Sequence, residues 1–238
     1  VSISDVSGKL GLFPDLLGDP AEISKIEGML PSQEIREMIA NGHIRARYGD
    51  ISEHQIQPAS LDLRLGDVGY RVQASFVPQH STVEGKIADL GLSMSRVDLT
   101  RTTVLEKGCV YIVPLLEELY LPEQVSAWSN PKSSTGRLDI FTRLITDYGR
   151  EFEKVKRGYK GKLYVEIASR TFTVIVRAGM TLNQLRFVRG NPKPSDSAIT
   201  ALERTALANN EALVYGEEGH PAKALIGKQS VKLSVNLH

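Results

Sequence analysis

The spacing of apolar residues changes character near residue 60. Upstream, Ile35, Met38 and Ile39 recur at helical intervals after Ser32, a residue suited to an N-cap, and Gly42 is placed to end the turn. An earlier start signal, Asp19-Pro20, sets a capping carboxylate before a proline at the first helical position. Downstream the period is two. Leu61, Leu63 and Leu65 alternate with Asp62, Arg64 and Gly66, and after a Gly66-Asp67-Val68-Gly69 turn the alternation resumes at Tyr70, Val72 and Ala74. Further strands are expected at 102–106, 110–113, 117–121, 125–129, 138–146, 161–168, 172–177 and 182–188, with Gly, Pro or Asn in most gaps. Many short strands at this spacing predict a mostly β, closed or sandwiched domain such as a jelly roll, with short helices at its N-terminal side.

The two ends read differently. Residues 1–29 form a weakly patterned N-terminal extension, 30–189 the β domain, and 190–238 a further segment. That segment opens on a linker, Asn191-Pro-Lys-Pro194, and continues into a helix over 195–209 with Ile199, Leu202, Thr205 and Ala206 on one face. The last residues, Val231-Lys-Leu-Ser-Val-Asn-Leu-His238, are strand-like and resemble Ile56-Gln-Pro-Ala-Ser-Leu-Asp-Leu63, as the start of a second repeat would.

Composition narrows the chemistry. The 238 residues suffice for one large domain. Lys plus Arg number 29 against 28 Asp plus Glu, a net of +1, which excludes a supercharged nucleic-acid binder. The single cysteine, Cys109, excludes an intrachain disulfide, and Gly108 before it and the apolar run after it suit a buried structural thiol. Five scattered histidines without Cys-x-x-Cys, His-x-Glu or His-Glu-x-x-His speak against a zinc site, so no metal ligands are assigned. No apolar run approaches the ~20 residues that span a bilayer, and no basic-then-apolar leader opens the chain. The expectation is a soluble cytoplasmic protein that binds neither membrane nor nucleic acid. Trp128 is expected in the core or at an interface.

Three segments carry candidate chemistry. Asn130-Pro-Lys-Ser-Ser-Thr-Gly-Arg137 gathers the hydroxyls of Ser133, Ser134 and Thr135, the bare backbone of Gly136, and the cations Lys132 and Arg137. Such a set can cradle an anion, although it is not a Walker loop and a polar surface loop has the same composition. In Gly158-Tyr-Lys-Gly-Lys-Leu-Tyr-Val-Glu-Ile167, alternation puts Leu163, Val165 and Ile167 on one face and Tyr164, Glu166 and Ala168 on the other. Glu166 is then either a solvated strand residue or a desolvated general acid or base. Asp147, in Ile145-Thr-Asp-Tyr-Gly149, is either a ligand for a ribose hydroxyl or metal-held water, or a turn former before Gly149.

Four motifs in order, Ile56-Gln-Pro-Ala-Ser-Leu-Asp-Leu-Arg-Leu-Gly66, Lys132-Ser-Ser-Thr-Gly-Arg137, Gly158-Tyr-Lys-Gly161 with Tyr164-Val-Glu166, and Asn183-Gln-Leu-Arg-Phe187, resemble the dCTP deaminase family of the dUTPase-like trimeric superfamily, in its long two-copy bacterial form. The resemblance spans roughly residues 30–188. It implies a dUTPase-like distorted jelly-roll or β-barrel, a homotrimer with active sites between subunits, and zinc-independent hydrolytic deamination of dCTP to dUTP and ammonia. It makes Glu166 the catalytic carboxylate that activates water for attack at C4, with Arg137 and Ser133 orienting the water and stabilising the tetrahedral intermediate. It gives Lys132, Ser133, Ser134 and Gly136, alongside Thr135 and Arg137, to the triphosphate with its Mg²⁺. Backbone groups of Leu144 and Thr146 then meet the base, Asp147 lies beside them, and Tyr164 and Val165 line the strand under the sugar, with Tyr164 also excluding a ribose 2′-OH.

The sequence departs from that pattern at several points. Lys132 stands where the family often has Arg, and keeps the charge but not the planar fork. Asp147-Tyr148 replaces a His-Arg pair, and the stretch from Asp147 to Gly158 is about six residues longer than in short members, as the resemblance reads. Lys156 occupies the place of an Asp found in dUTP-hydrolysing relatives, with Glu153 the nearest carboxylate, and no nucleotide-closing lid is legible in 189–238. Two other functions stay open: a dUTP diphosphatase or bifunctional deaminase-diphosphatase, and a non-catalytic nucleotide-binding domain.

Overall fold

The computed structural model describes residues 27–192, 196–208, 215, 226–227 and 230–231. The extension before residue 27, the Asp19-Pro20 helix start and most of the strand-like run after Val231 lie outside them. The chain divides into two compact units, Val1–Gly190 and Asn191–His238.

In the first unit, β1 (Gly28–Met29) leads into helix α1 (Ser32–Ala40) and then β2 (Ile44–Ala46). A 3-10 turn at Glu53–Gln55 precedes β3 (Ile56–Gln57), β4 (Ser60–Arg64) and β5 (Val68–Val72). Helix α2 (Val83–Asp89) is followed by β6 (Ser93–Asp98), β7 (Thr103–Leu105), β8 (Val110–Tyr120) and β9 (Val125–Pro131). The short helix α3 (Ser133–Arg137) separates β9 from β10 (Ile140–Thr146), after which come β11 (Lys154–Val155), β12 (Lys160–Ser169), β13 (Val174–Val176) and β14 (Thr181–Arg189). The second unit contains α4 (Asp196–Ala208) and a small hairpin of β15 (Ile226–Gly227) and β16 (Ser230–Val231).

β7 pairs with β13 in a separate two-stranded sheet, and twelve other described strands form two antiparallel six-stranded sheets. One runs β11-β9-β14-β4-β3, with β1 on the far end of β14. The other runs β10-β12-β8-β5-β6, with β2 on the end of β8. Leu61, Leu63, Leu185 and Phe187 from the first sheet and Val113, Leu144, Leu163, Val165 and Ile167 from the second share one apolar core. The second sheet is covered on its other face too. Val83 and Ile87 of α2 pack on Val72, Ile112, Ile145 and Tyr164 there. The mostly β, antiparallel fold with few and short helices is therefore as expected. Coverage on both faces explains why Leu163 to Ile167 are buried without interruption, although their sequence alternates.

Several boundaries differ from the expected ones. The strands read at 110–113 and 117–121 are one strand, β8. Pro114 lies inside it at an irregularity of the ladder with β12: between Lys162 and Tyr164 the pairing moves from Glu118 to Pro114, so the extra residues are in β8, and a missing N–H is tolerated at such a bulge. The Pro114 carbonyl instead accepts the Gly66 amide at 2.9 Å. A Cβ at Gly66 would stand 2.6 Å from that carbonyl oxygen, so only glycine fits this crossing. The front of the strand expected at 138–146 is helix α3 and its exit, where Asp139 turns at φ 54. In α1, Pro31 rather than Ser32 holds the cap position, and Ile35 and Met38 are buried as the spacing predicts. Trp128 is not in the core: it is half exposed, with the Lys154 ammonium 5.5 Å above its ring. In α4, Leu202 is exposed and Glu203 is buried, so the buried face is not the one the spacing predicts.

Candidate active site

The hydroxyl-rich motif folds as a single helical turn. β9 ends at Pro131, Lys132 takes the extended N-cap conformation, and its amide bonds the Leu182 carbonyl at 2.9 Å. Ser133, Ser134, Gly136 and Arg137 face solvent, while Thr135 is buried. The first-turn amides of a helix have no intrahelical acceptor, so this corner presents donors, two free hydroxyls and a guanidinium together. Arg137 is tied only to its own turn, with Nε 3.3 Å from the Ser133 carbonyl. Lys132 behaves differently. Its Nζ lies 2.5 Å from Asp62 Oδ2 and 2.9 Å from Thr181 Oγ1, so its charge is drawn to the buried Asp62 of β4.

Glu166 sits mid-strand in β12, opposite Arg143 of β10 and Ile112 of β8. It is 1% exposed, so it is not a solvated strand residue. Arg143 reaches one carboxylate oxygen twice, Nη2 to Oε1 at 2.6 Å and Nε to Oε1 at 3.0 Å. The other oxygen, Oε2, is buried without a hydrogen-bond partner. Arg143 is itself held by the Ser75 hydroxyl at 2.6 Å and by the Phe152 ring, whose centroid is 3.8 Å from the guanidinium carbon.

A second carboxyl joins this centre. Glu153 turns at φ 64, bonds its amide to the Leu144 carbonyl at 3.0 Å, and gives its own carbonyl to Ser129 at 2.8 Å. Its Oε2 is also buried and unpartnered. Burial pushes its pKa up to about 7; the Leu144 backbone, the Ser129 hydroxyl and Arg143 pull the other way, and Glu166 adds to the rise. Ser129 in turn accepts from the Asn183 side chain at 3.3 Å, which brings the fourth motif to the same neighbourhood.

The other expected site residues divide. Leu144 and Val165 point into the main core, and the Leu144 carbonyl is already taken by Glu153. Tyr164 is buried under α2, where desolvation raises the pKa of its hydroxyl far above the ordinary phenol value. Asp147 serves α2: its Oδ1 accepts the Val83 amide at 2.8 Å, and burial raises its pKa. This contact is a capping one. Thr146 borders a cavity of about 640 Å³ with His80, Tyr148, Arg150, Lys154 and Lys156, a basic wall built from the long 147–158 stretch. The structure thus brings Glu166 to Arg143, which the sequence pattern did not single out, and leaves Ser133 and Arg137 exposed and bonded to neither. One signal was available: Arg143 is the lone charge in the apolar alternation of β10.

Two antiparallel sheets thus bury a glutamate-arginine pair, and a separate exposed turn carries hydroxyls and cations, in an all-antiparallel β domain. The model of the 2′-deoxycytidine 5′-triphosphate deaminase (DCD) N-terminal domain matches residues 26–191. The chain belongs to the dCTP deaminase family. The crystal structure of 2′-deoxycytidine 5′-triphosphate deaminase from Agrobacterium tumefaciens is 48% identical with a TM-score of 0.70; the likeness covers 75% of this chain and 54% of that one. The chain thus corresponds to about half the length of that solved protein. A dCTP deaminase of Halorubrum lacusprofundi is 29% identical over 161 residues, covering 67% of this chain and 76% of the relative. A dUMP-forming dCTP deaminase of Streptomyces coelicolor is 26% identical over 170 residues, covering 68% and 80%.

Proposed function

We propose that this chain carries out zinc-independent hydrolytic deamination of dCTP to dUTP and ammonia. The observation that carries the reading is Glu166, a buried carboxylate with one oxygen anchored by Arg143 and the other unpartnered, at the family's motif position. Glu166 takes a proton from water as the water oxygen bonds to C4, and passes it to N3 of the ring. The second water proton moves to the amino group, the C4–N bond breaks, and ammonia leaves. Both protons come from the one water, so the sum balances without a metal-bound hydroxide, which suits a chain whose single cysteine and scattered histidines offer no zinc-type ligand set.

Arg137 and Ser133 act on the water and the developing oxyanion, and the α3 turn with Lys132 holds the triphosphate, which brings Mg²⁺ with it as part of the substrate. Their exposure away from Glu166 within one subunit supports a homotrimer in which neighbouring subunits complete each site. The single unpaired Cys109 suits the cytoplasm, a reducing compartment, and no described helix is long and apolar enough to cross a membrane.

Continuation to dUMP is a second reading, favoured by the names of the dUMP-forming relatives such as that of Streptomyces coelicolor. Lys156, exposed on the basic cavity, gives it no carboxylate at that position. The deciding experiment is ammonia and pyrophosphate release from dCTP and from dUTP, with Mg²⁺ and with zinc chelated. Ammonia from dCTP without pyrophosphate upholds the deaminase. Pyrophosphate from dUTP moves the assignment to the bifunctional reading. Tight nucleotide binding without either product identifies a binding domain. Arg137→Ala is expected to lower kcat by about 10²–10³ while changing KM much less, as loss of transition-state contact does.

A further inference from the structure

An arginine fork and a carboxylate frequently meet end to end, with two N–H groups on two oxygens. Arg143 and Glu166 meet otherwise. Nη2 at 2.6 Å and Nε at 3.0 Å both donate to Oε1, and the buried Oε2 accepts nothing. The groups that hold the fork in this lopsided pose include two from outside both strands. The Ser75 hydroxyl, in the stretch after β5, accepts from Nη2 at 2.6 Å, so that both hydrogens of that nitrogen are spent. The Phe152 ring, in the long 147–158 stretch, covers the guanidinium with its centroid 3.8 Å from the central carbon, and the Phe141 ring of β10 lies 5.0 Å from the same atom. Phe152 is itself packed against the cluster that contains Ile112, Ile145 and Tyr164. A planar cation stacked on a fixed ring keeps its plane, and a tethered terminal nitrogen keeps it from turning within that plane.

We propose that Phe152 and Ser75 are positioning residues for Glu166, acting through Arg143: they hold the guanidinium on Oε1 and so keep Oε2 open to take the proton from water. The inference rests on Glu166 being the general base. Without the ring or the hydroxyl, the fork settles across both oxygens in the commoner end-to-end pairing. The ion pair is then no weaker, but Oε2 carries a hydrogen bond that the incoming water must displace. Loss of the exposed Ser75 hydroxyl therefore slows the reaction without weakening the fold, which a merely structural role would not do.

The first arm measures ammonia release from dCTP. Ser75→Ala and Phe152→Leu are each expected to lower kcat by about 10–100-fold with KM changed by less than about twofold. Ser75→Thr and Phe152→Tyr, which keep the hydroxyl and the ring, retain most of the parent rate. In an Arg143→Lys background, where no planar fork remains to orient, the added loss from either Ser75→Ala or Phe152→Leu shrinks to less than about twofold. Full kcat in Ser75→Ala or in Phe152→Leu, equal losses in the conservative variants, or losses undiminished beside Arg143→Lys overturn the proposal. Ser75→Ala keeps this arm decisive should Phe152→Leu fail to fold. The second arm needs no turnover. The Arg143 Nε–H group is followed by proton-nitrogen NMR in the parent, in Phe152→Leu and in Glu166→Gln. Its proton moves downfield in Phe152→Leu, where the ring current is lost, and upfield in Glu166→Gln, where the charged acceptor is lost. A resonance indifferent to both overturns the proposal even if the rate data agree. If the parent releases no ammonia, the deaminase reading fails on its own, and the NMR arm still decides whether Phe152 and Glu166 hold Arg143 between them.

Discussion

Glu117 on β8 and Glu166 on β12 lie buried in the same sheet, and each is gripped by an arginine from another strand. Their surroundings are otherwise opposite. Glu117 is fully satisfied: Oε1 accepts from Gln55 Nε2 at 2.9 Å and Arg64 Nε at 2.7 Å, and Oε2 accepts the Arg64 amide at 2.7 Å. Arg64 belongs to β4 of the facing sheet, so this ion ties the two sheets together. Glu166 has one oxygen that accepts two hydrogen bonds from Arg143 and another that accepts none. Buried polar atoms in native folds almost always find partners. The Glu117 carboxylate, with both oxygens bonded, therefore reads as architecture even though Nη2 of its partner Arg64 is buried without a hydrogen bond, while the open Oε2 of Glu166 is a cost that the proposed chemistry accounts for.

The largest expected effect breaks the Glu166 centre. Glu166→Gln should lower dCTP turnover by about 10²–10⁴-fold while nucleotide binding persists, measured by ammonia release beside calorimetric titration. Retention of most of the parent rate would remove Glu166 from the mechanism. Next comes the Glu117 centre. Glu117→Ala leaves Arg64 buried without its counter-ion and should cost about 3–5 kcal/mol, or roughly 10 °C in thermal midpoint, with turnover per folded molecule unchanged. A small loss there would mean that the cross-sheet ion is not holding the sheets.

Glu153→Gln sharpens the contrast, because it should stabilise the fold. A carboxyl raised from its ordinary 4.5 to about 7 binds an extra proton in the folded state. Its favourable contribution is full below its unfolded value and is lost as pH rises through about 7. Replacing it by a neutral amide should therefore raise stability by about 1–3 kcal/mol at pH 8 and leave it unchanged at pH 4, read from urea unfolding at both. A gain that is the same at both pH values would show that ionisation is not the cause. The smallest effect is a control far from either ion: Leu90→Ser, at an exposed helix end, should shift stability by no more than about 0.5 kcal/mol.

Local patterns carried much of this molecule. The alternation of Leu61, Leu63 and Leu65 placed all three in the core, and the Ile35 and Met38 spacing placed the inner face of α1. The hydroxyl-rich run was legible as a distinct polar corner, and Glu166 as an acid in an otherwise apolar strand. These signals survive in a bare chain because they depend on period and residue type over fewer than about ten neighbours. The misread stretches depended on partners. β8 continues through Pro114 at a bulge of its own in the ladder with β12, and Asp147 accepts the first amide of a helix that begins 64 residues earlier in the chain.

The sequence by itself determined a mostly β chain of alternating strands, a family resemblance, and the candidate groups Glu166, Ser133 and Arg137. Only the tertiary structure decided which charges meet. Arg143 is 23 residues from Glu166, and the antiparallel register of β10 with β12 sets them side by side; Arg64 is 53 residues from Glu117, and the packing of one sheet on the other brings them together. The same closure removed Glu166 from water. A carboxyl's charge is written in the residue, but its acidity and its reach depend on burial and neighbours, and those exist only once the sheets have closed.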